Sequence, residues 1–380
     1  GTLDFATNDK NITVEGNVTL DRGRVDMGDG TWTIGGNFDN ADVTTFNRNV
    51  STVMLTGAGK SLLPKSDLYA VTIGTGASIT LSAQANNLVT YGTVTVYGTM
   101  TADSTFTVYN DGRIKPGGLF TGSSTLRFGD DSRLSEISGT IDVAVLTIDL
   151  DHNLASSAIA AGRFDAATVN IYQNTSANRS FVGQAGTYVF TGNVVFGATG
   201  AGNYTIDNGT YNSNWTFLGN VSMNEPSTGR VAWTKGTGAI TLSGSSLQQV
   251  DPGGKSMEDI VVNKTHGIVQ LTGTGTLDSM TVSSGTVDFN GKAITTIGDL
   301  TIGILGQVNP RGLPGSVLTV GGNLSLTGAA GDLLNLSATG AWTLTVNGAS
   351  AVATYTTVAY SDASGGTQIL ATGGTNTDGG

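Results

Sequence analysis

The feature that most constrains this chain is a phrase that keeps returning: a short alternating strand, Gly-Asn, and a second alternating strand. It occurs as ITVEGNVTL (12–20), TWTIGGNFDN (31–40), YVFTGNVVF (188–196), NWTFLGNVSM (214–223) and LTVGGNLSL (318–326), and TTIGDLTIG (295–303) has Asp in place of Asn. Apolar residues alternate on both sides of the pair, which is the period of half-buried strands. Gly offers backbone freedom, and Asn tolerates left-handed conformations and bonds local backbone. The phrase therefore reads as a backbone corner that binds no ligand.

A corner of this kind also serves a β-hairpin, so a longer repeat is needed to choose an architecture. The stretches 51–82 and 238–273 share one order: strand, LTG or LSG, a polar stretch with one Pro, an acidic residue, strand, Gly turn, strand. Duplicated supersecondary blocks mark repeat folds, although no fixed period emerges here. The expected fold is all-β, an elongated parallel β-helix, with tandem β-sandwich domains as the alternative. Sandwiches call for domain-length repeats with a buried Trp in each, a spacing that Trp32, Trp215, Trp233 and Trp342 do not follow. Three-strand coils of about 20–25 residues give on the order of 16 turns and a body about 75 Å long. The expected organisation is a first solenoid segment over 1–153, a break or short helix over Ala-rich 154–164, a second segment over 165–355, and a terminal strand with a linker-like tail over 356–380.

Composition supports a β-body. Gly contributes 56 residues, Ser and Thr together nearly a quarter of the chain, and charged residues only 12%, so long amphipathic helices are disfavoured. The 38% of hydrophobic residues suffices for a continuous core, which separates the chain from disordered Gly/Ser-rich sequences. Cysteine is absent, so disulfides and thiolate metal sites are too. A net charge of −11 without a basic patch excludes nucleic acid and anionic lipid as natural partners. No apolar run is long enough for a membrane-spanning helix, so no membrane insertion is expected. Both ends, GTLDFATN and GGTNTDGG, read as processing or cropping sites.

The stretches GDGTWTIGGNFDN, STVMLTGAG, LYAVTIGTGASITLS and TVTVYGTMTADSTFTV, with the tail VAYSDASGGTQILATGGTNTDGG, together resemble the repetitive β-helical regions of large secreted prokaryotic surface proteins. These include adhesins and surface-layer or filament-forming proteins. The resemblance covers most of the chain through loose, low-complexity motifs. It implies a parallel β-helix outside the cell and carries no catalytic residue.

Chemistry is sparse. His152 and His266 are the only histidines, and no serine sits in a G-x-S-x-G elbow. Gly59, Lys60 and Ser61 match the end of a phosphate loop, but Met54 stands where its first glycine belongs and no helix pattern follows. Asp149, Asp151 and Asn153 alternate like the opening of a calcium loop and form a weak calcium candidate, since Leu154 takes the place of the glycine such loops need. Asp130 and Asp131, near Arg127 and Arg133, are the only pair worth weighing for a polysaccharide lyase or hydrolase, and a salt-bridged loop accounts for them better. No cofactor and no catalytic residue are expected. Threonine pairs, as in TVTVYGTMT (93–101), raise the question of ice binding, which requires them in register on successive coils; they scatter along the chain, and Thr is simply a good strand former, so no ice-binding face is expected.

The strongest polar signal is Asn-x-Ser/Thr. It occurs at Asn11, Asn17, Asn49, Asn174, Asn178, Asn203, Asn208, Asn214, Asn220, Asn263, Asn323 and Asn335, where composition alone predicts about 6 or 7 such sites. These are glycosylation candidates, densest over 203–220. The functional expectation is an extracellular structural protein, a building block of a filament, sheath or adhesin stalk that associates with itself head to tail. The alternative is an adhesin module that binds glycans or a neighbouring surface through aromatics such as Tyr204, Tyr211 and Trp215.

Overall fold

The computed structural model describes residues 1–7, 9–82, 88–129, 133–149, 156–173, 178–198, 202–223, 231–372 and 377–378. Among them every regular element is a strand, apart from one 3-10 turn at Pro310–Gly312. Strands pair in parallel with their counterparts one coil later, so the chain is a parallel β-solenoid of about 16 turns. This parallel stacking replaces the sandwich alternative. Two compact units are formed, Gly1–Val182 with Thr199–Gly202, and Gly183–Ala198 with Asn203–Gly380. In 154–164, where a break or short helix was expected, the described residues include the strands Ser156–Ile159 and Arg163–Phe164.

In the first unit one coil runs through Thr31–Ile34, Phe38–Asp42 and Thr45–Asn47, the three strands lying on three faces. Trp32 and Ile34 point inward and are buried, while Thr31 and Thr33 point outward. Register then places like on like: Trp32 faces Val53, which faces Val71, which faces Val94. Each such buried side chain contributes about 1.5–3 kcal/mol of hydrophobic stabilisation.

The second unit builds its core from aromatics. Tyr188 pairs with Trp215 and Phe190 with Phe217 in adjacent strands, which stacks their rings at 4.5 and 5.4 Å between centroids. Phe196 and Trp233 close the cluster, edge-on to one another at 6.0 Å.

Coil length varies from one matched pair of strands to the next. Thr52 pairs with Ala70, 18 residues on, and Tyr188 with Trp215, 27 residues on. The difference is taken up in the turns, which is why the linear sequence has no fixed period.

The corner glycines act differently from expectation. None of Gly36, Gly219 and Gly322 takes a left-handed φ. A Cβ on Gly36 would lie 2.4 Å from the carbonyl carbon of Gly16, on Gly219 2.3 Å from the Gly192 oxygen, and on Gly322 2.5 Å from the Gly298 carbonyl carbon. Glycine is required because successive corners touch backbone to backbone. Gly36→Ala is therefore expected to cost the first unit about 1–3 kcal/mol through overpacking against a carbonyl that has no room to yield. The shift in urea midpoint measures it, and Gly16→Ala, whose Cβ meets nothing within 4 Å, serves as the neutral control.

Candidate functional site

The corner asparagines do not take left-handed backbone either; their side chains reach the next coil. The Asn17 amide oxygen accepts the backbone N–H of Asn37 at 2.9 Å, and Asn37 accepts that of Ser61 at 2.9 Å. Asn193 accepts from Asn220 at 3.0 Å, and Asn220 from Gln249 at 2.7 Å. Asp299 accepts from Asn323 at 2.7 Å, and Asn323 from Ser350 at 3.1 Å. The recurring phrase thus occurs on consecutive coils at three corners, and at each its Asn or Asp clamps the backbone of the following coil. Peptide groups at a corner lie outside the strand ladder and need such partners when water is excluded.

In the second unit the ladder continues through side chains alone. Gln249 Nε2 donates to Gln270 Oε1 at 3.2 Å, Gln270 Nε2 to Asp288 Oδ2 at 3.2 Å, and Asn309 Nδ2 to the same oxygen at 2.9 Å. Register carries this column from Asn193 through Asn220, Gln249, Gln270 and Asp288 to Asn309. Beside its start lies an open groove of about 350 Å³, lined by Asn193, Val195, Asn220, Ser222, Gln249 and Asp251.

Two buried charged residues anchor the interior of this unit. Glu258 is wholly buried and accepts from Asn208 Nδ2 at 2.7 Å, Trp233 Nε1 at 2.7 Å and the Gly236 backbone at 2.8 Å, joining successive coils. Lys264 is also wholly buried, and its Nζ donates to the Ser243 carbonyl at 3.1 Å and Gln248 Oε1 at 3.3 Å. Gln248 in turn donates to the Phe217 and Gly219 carbonyls at 2.9 and 2.7 Å. Sequence reasoning missed both residues, although Glu258, Ile260, Val262 and Lys264 share one strand parity and the two apolar members pointed inward.

Desolvation lowers the Lys264 pKa below the ordinary lysine value. Below that lowered pKa both folded and unfolded forms are protonated, and the cost of burying the charge is present in full. Between it and the unfolded value of about 10.4 the unfolded chain binds more protons, so stability rises with pH. Chemical denaturation of Lys264→Met followed across this range is expected to lose that rise relative to the parent chain.

The twelve Asn-x-Ser/Thr sites separate by which amide atom the fold uses. Asn11, Asn17, Asn214, Asn220 and Asn323 all bond the next coil through Oδ1, so these contacts do not occupy Nδ2, the atom a glycan substitutes. Asn263 and Asn335 are exposed and likewise accept through Oδ1, from Ser284 and Ser337. Asn178 and Asn203 are exposed as well. Asn49 donates through Nδ2 to Asp26 at 2.5 Å. Asn208 is closed to a glycan in the folded chain: it is wholly buried and its Nδ2 donates to both Ser213 and Glu258.

Of the aromatics considered for surface binding, Tyr204 and Trp215 are wholly buried and belong to the core, while Tyr211 is 45% exposed. Both rings stand at inward positions of their strands, Tyr204–Asp207 and Asn214–Phe217, where burial of their apolar surface favours the interior. His266 is exposed. Asn174, the Asp130 and Asp131 pair, His152, and Asp151 and Asn153 of the calcium candidate lie outside the described residues, as does the Asp149 side chain. Among the described residues no three His, Asp or Glu side chains are grouped to hold a metal ion. Compared with protein-family models, curated proteins and solved structures, the chain matches none.

Proposed function

We propose that the chain is an extracellular structural protein, a building block of a cell-surface filament, sheath or adhesin stalk that associates through strand edges. The observation that carries this reading is the unbroken coil-to-coil ladder from Asn193 to Asn309, which adds side-chain bonds to the backbone ladder at each step. Bonding of this kind runs between neighbouring coils, so each coil-to-coil step is reinforced by a side-chain bond as well as by the backbone ladder. Among the described residues, strands such as Thr2–Asp4 and Ile12–Val14 pair on one side only and offer their other edge to a further coil, whether of a longer chain or of a second copy. Contacts of this head-to-tail type grow open fibres when their rotation does not close.

Pulling single molecules of the second unit tests the mechanical part. Release in successive steps of about one coil, at lower force in Asn220→Ala than in the parent chain, is expected. Release of the whole unit in one low-force event, unchanged by Asn220→Ala, contradicts it.

The groove beside Asn193 and Asn220 favours a second reading, an adhesin module that binds glycans. Its lining offers amides, a hydroxyl and the Asp251 carboxylate over a valine floor, groups that suit sugar hydroxyls. Binding on a glycan array that Ser222→Trp abolishes by filling the groove supports this reading, and absence of any glycan signal removes it.

A further inference from the structure

The threonines that scatter along the sequence come into line in the fold. On one face of the first unit the strands Ile12–Val14, Thr31–Ile34, Thr52–Leu55, Ala70–Ile73 and Thr93–Val96 stack with no register shift. One outward column reads Thr13, Thr33, Met54, Thr72, Thr95. The adjacent column reads Thr31, Thr52 and Ala70, with Thr93 next in register; Ala70 is buried and interrupts its exposed surface. Unequal coil lengths produce this alignment, because turns absorb the extra residues and the strands stay matched.

Seven of these nine positions are threonine and none is charged, on a chain whose net charge is −11. The array ends at the next coil, where Asp111 and Arg113 occupy the same two columns and pair at 2.8 Å. Neighbouring strands lie about 4.8 Å apart and outward residues about 6.7 Å apart along a strand, so the hydroxyls and methyls form a two-dimensional grid. Thr is stiff at χ1, which fixes the grid in advance of any contact. At the margin of this face the Asn11 Oδ1 accepts the Thr31 backbone N–H at 2.8 Å.

We propose that this face binds ice. A single Thr hydroxyl gains little over its bonds to liquid water, so a small soluble ligand has no reason to settle there. A solid with a comparable repeat in two directions engages many positions at once, and the contacts then add as in any multivalent attachment. The low-index planes of ice have oxygen spacings of this order and carry no net charge, which matches an uncharged face on an acidic chain. The nine positions themselves hold no aromatic ring and no charge, whereas Tyr91 and Tyr97, each 40% exposed, flank the strand Thr93–Val96 with Arg48 over the Tyr91 ring, so the test below separates ice from a crystalline polysaccharide.

Recrystallisation of ice in the presence of the purified full chain tests the proposal, independently of the structural role proposed above. The parent chain is expected to hold crystals small, and T33K/T72K to lose at least about tenfold in potency because two charges interrupt the grid. T281K/T301K, on outward positions of the second unit, is expected to retain full potency. T33V/T72V keeps side-chain volume and strand propensity, so loss of potency in this variant with an unchanged circular-dichroism spectrum separates recognition from misfolding. Crystals that coarsen as in buffer alone, with the parent chain folded, overturn the proposal. So does a dimer that T33K/T72K converts to monomer, which gives the face to a second copy, and so does retention on cellulose or chitin lost in T33K/T72K without any effect on ice.

Discussion

Glu258→Ala is expected to destabilise the second unit by about 3–5 kcal/mol, the range for breaking a buried, fully bonded charge network. The substitution takes the acceptor from one buried Asn208 amide N–H, the other still bonding Ser213, from the buried Trp233 indole N–H and from the half-buried Gly236 N–H. Each orphaned donor loses its bond and keeps its desolvation cost. Glu258→Gln retains one acceptor oxygen but sets an amide against a donor, so its loss is expected to be smaller yet still substantial. Because stability in a solenoid is a sum over neighbouring coils, the damage is expected to centre on the coils that contribute Asn208, Trp233 and Glu258. Hydrogen exchange resolved by peptide measures this: faster exchange confined to those coils is expected, and unaltered exchange across them contradicts the staple.

Trp215→Ala is the second large effect. Trp215 stacks on Tyr188 at 4.5 Å and contacts Phe196, Phe217 and Trp233 at centroid distances between 5.6 and 6.1 Å. Its removal opens a cavity that rings fixed by strand register cannot collapse into, and the expected cost is about 3–5 kcal/mol. Trp215→Phe keeps a stacked ring and is expected to recover most of the loss. Urea denaturation followed by the near-ultraviolet signal of the aromatic cluster gives the comparison, and a Trp215→Ala midpoint within error of the parent chain contradicts the cluster's role as the core of this unit.

Much of the fold was legible in the sequence because a β-solenoid writes its strands as alternation. Thr31 to Ile34 and Thr93 to Val96 show inward and outward sides without ambiguity, and the Gly-Asn corners mark where the chain turns. What could not be read was which residues come opposite one another. The partner of Tyr188 lies 27 residues on and that of Thr52 only 18, so neither the aromatic stack nor the threonine columns follow from spacing. The meaning of Gly-Asn was half legible for the same reason. A corner is a local property, while the contact of Gly36 with Gly16 and the bond from Asn37 N–H to Asn17 exist only between coils.

The polar interior was the least legible part. Lys264 stands at an inward position of a strand, where the alternation signals burial and the side-chain type argues against it. Burial prevails because Ser243 and Gln248, earlier in the same chain, supply acceptors. Asn208 was grouped with glycosylation candidates by a three-residue motif, which holds no information about a carboxylate 50 residues away.

Electron microscopy of the purified chain at rising concentration tests the central claim, that this is a self-associating structural building block. Ordered fibres or sheets, with copies joined at the strand edges of their terminal coils, are the predicted result. Separate particles at every concentration, with no end-to-end contacts, would contradict it.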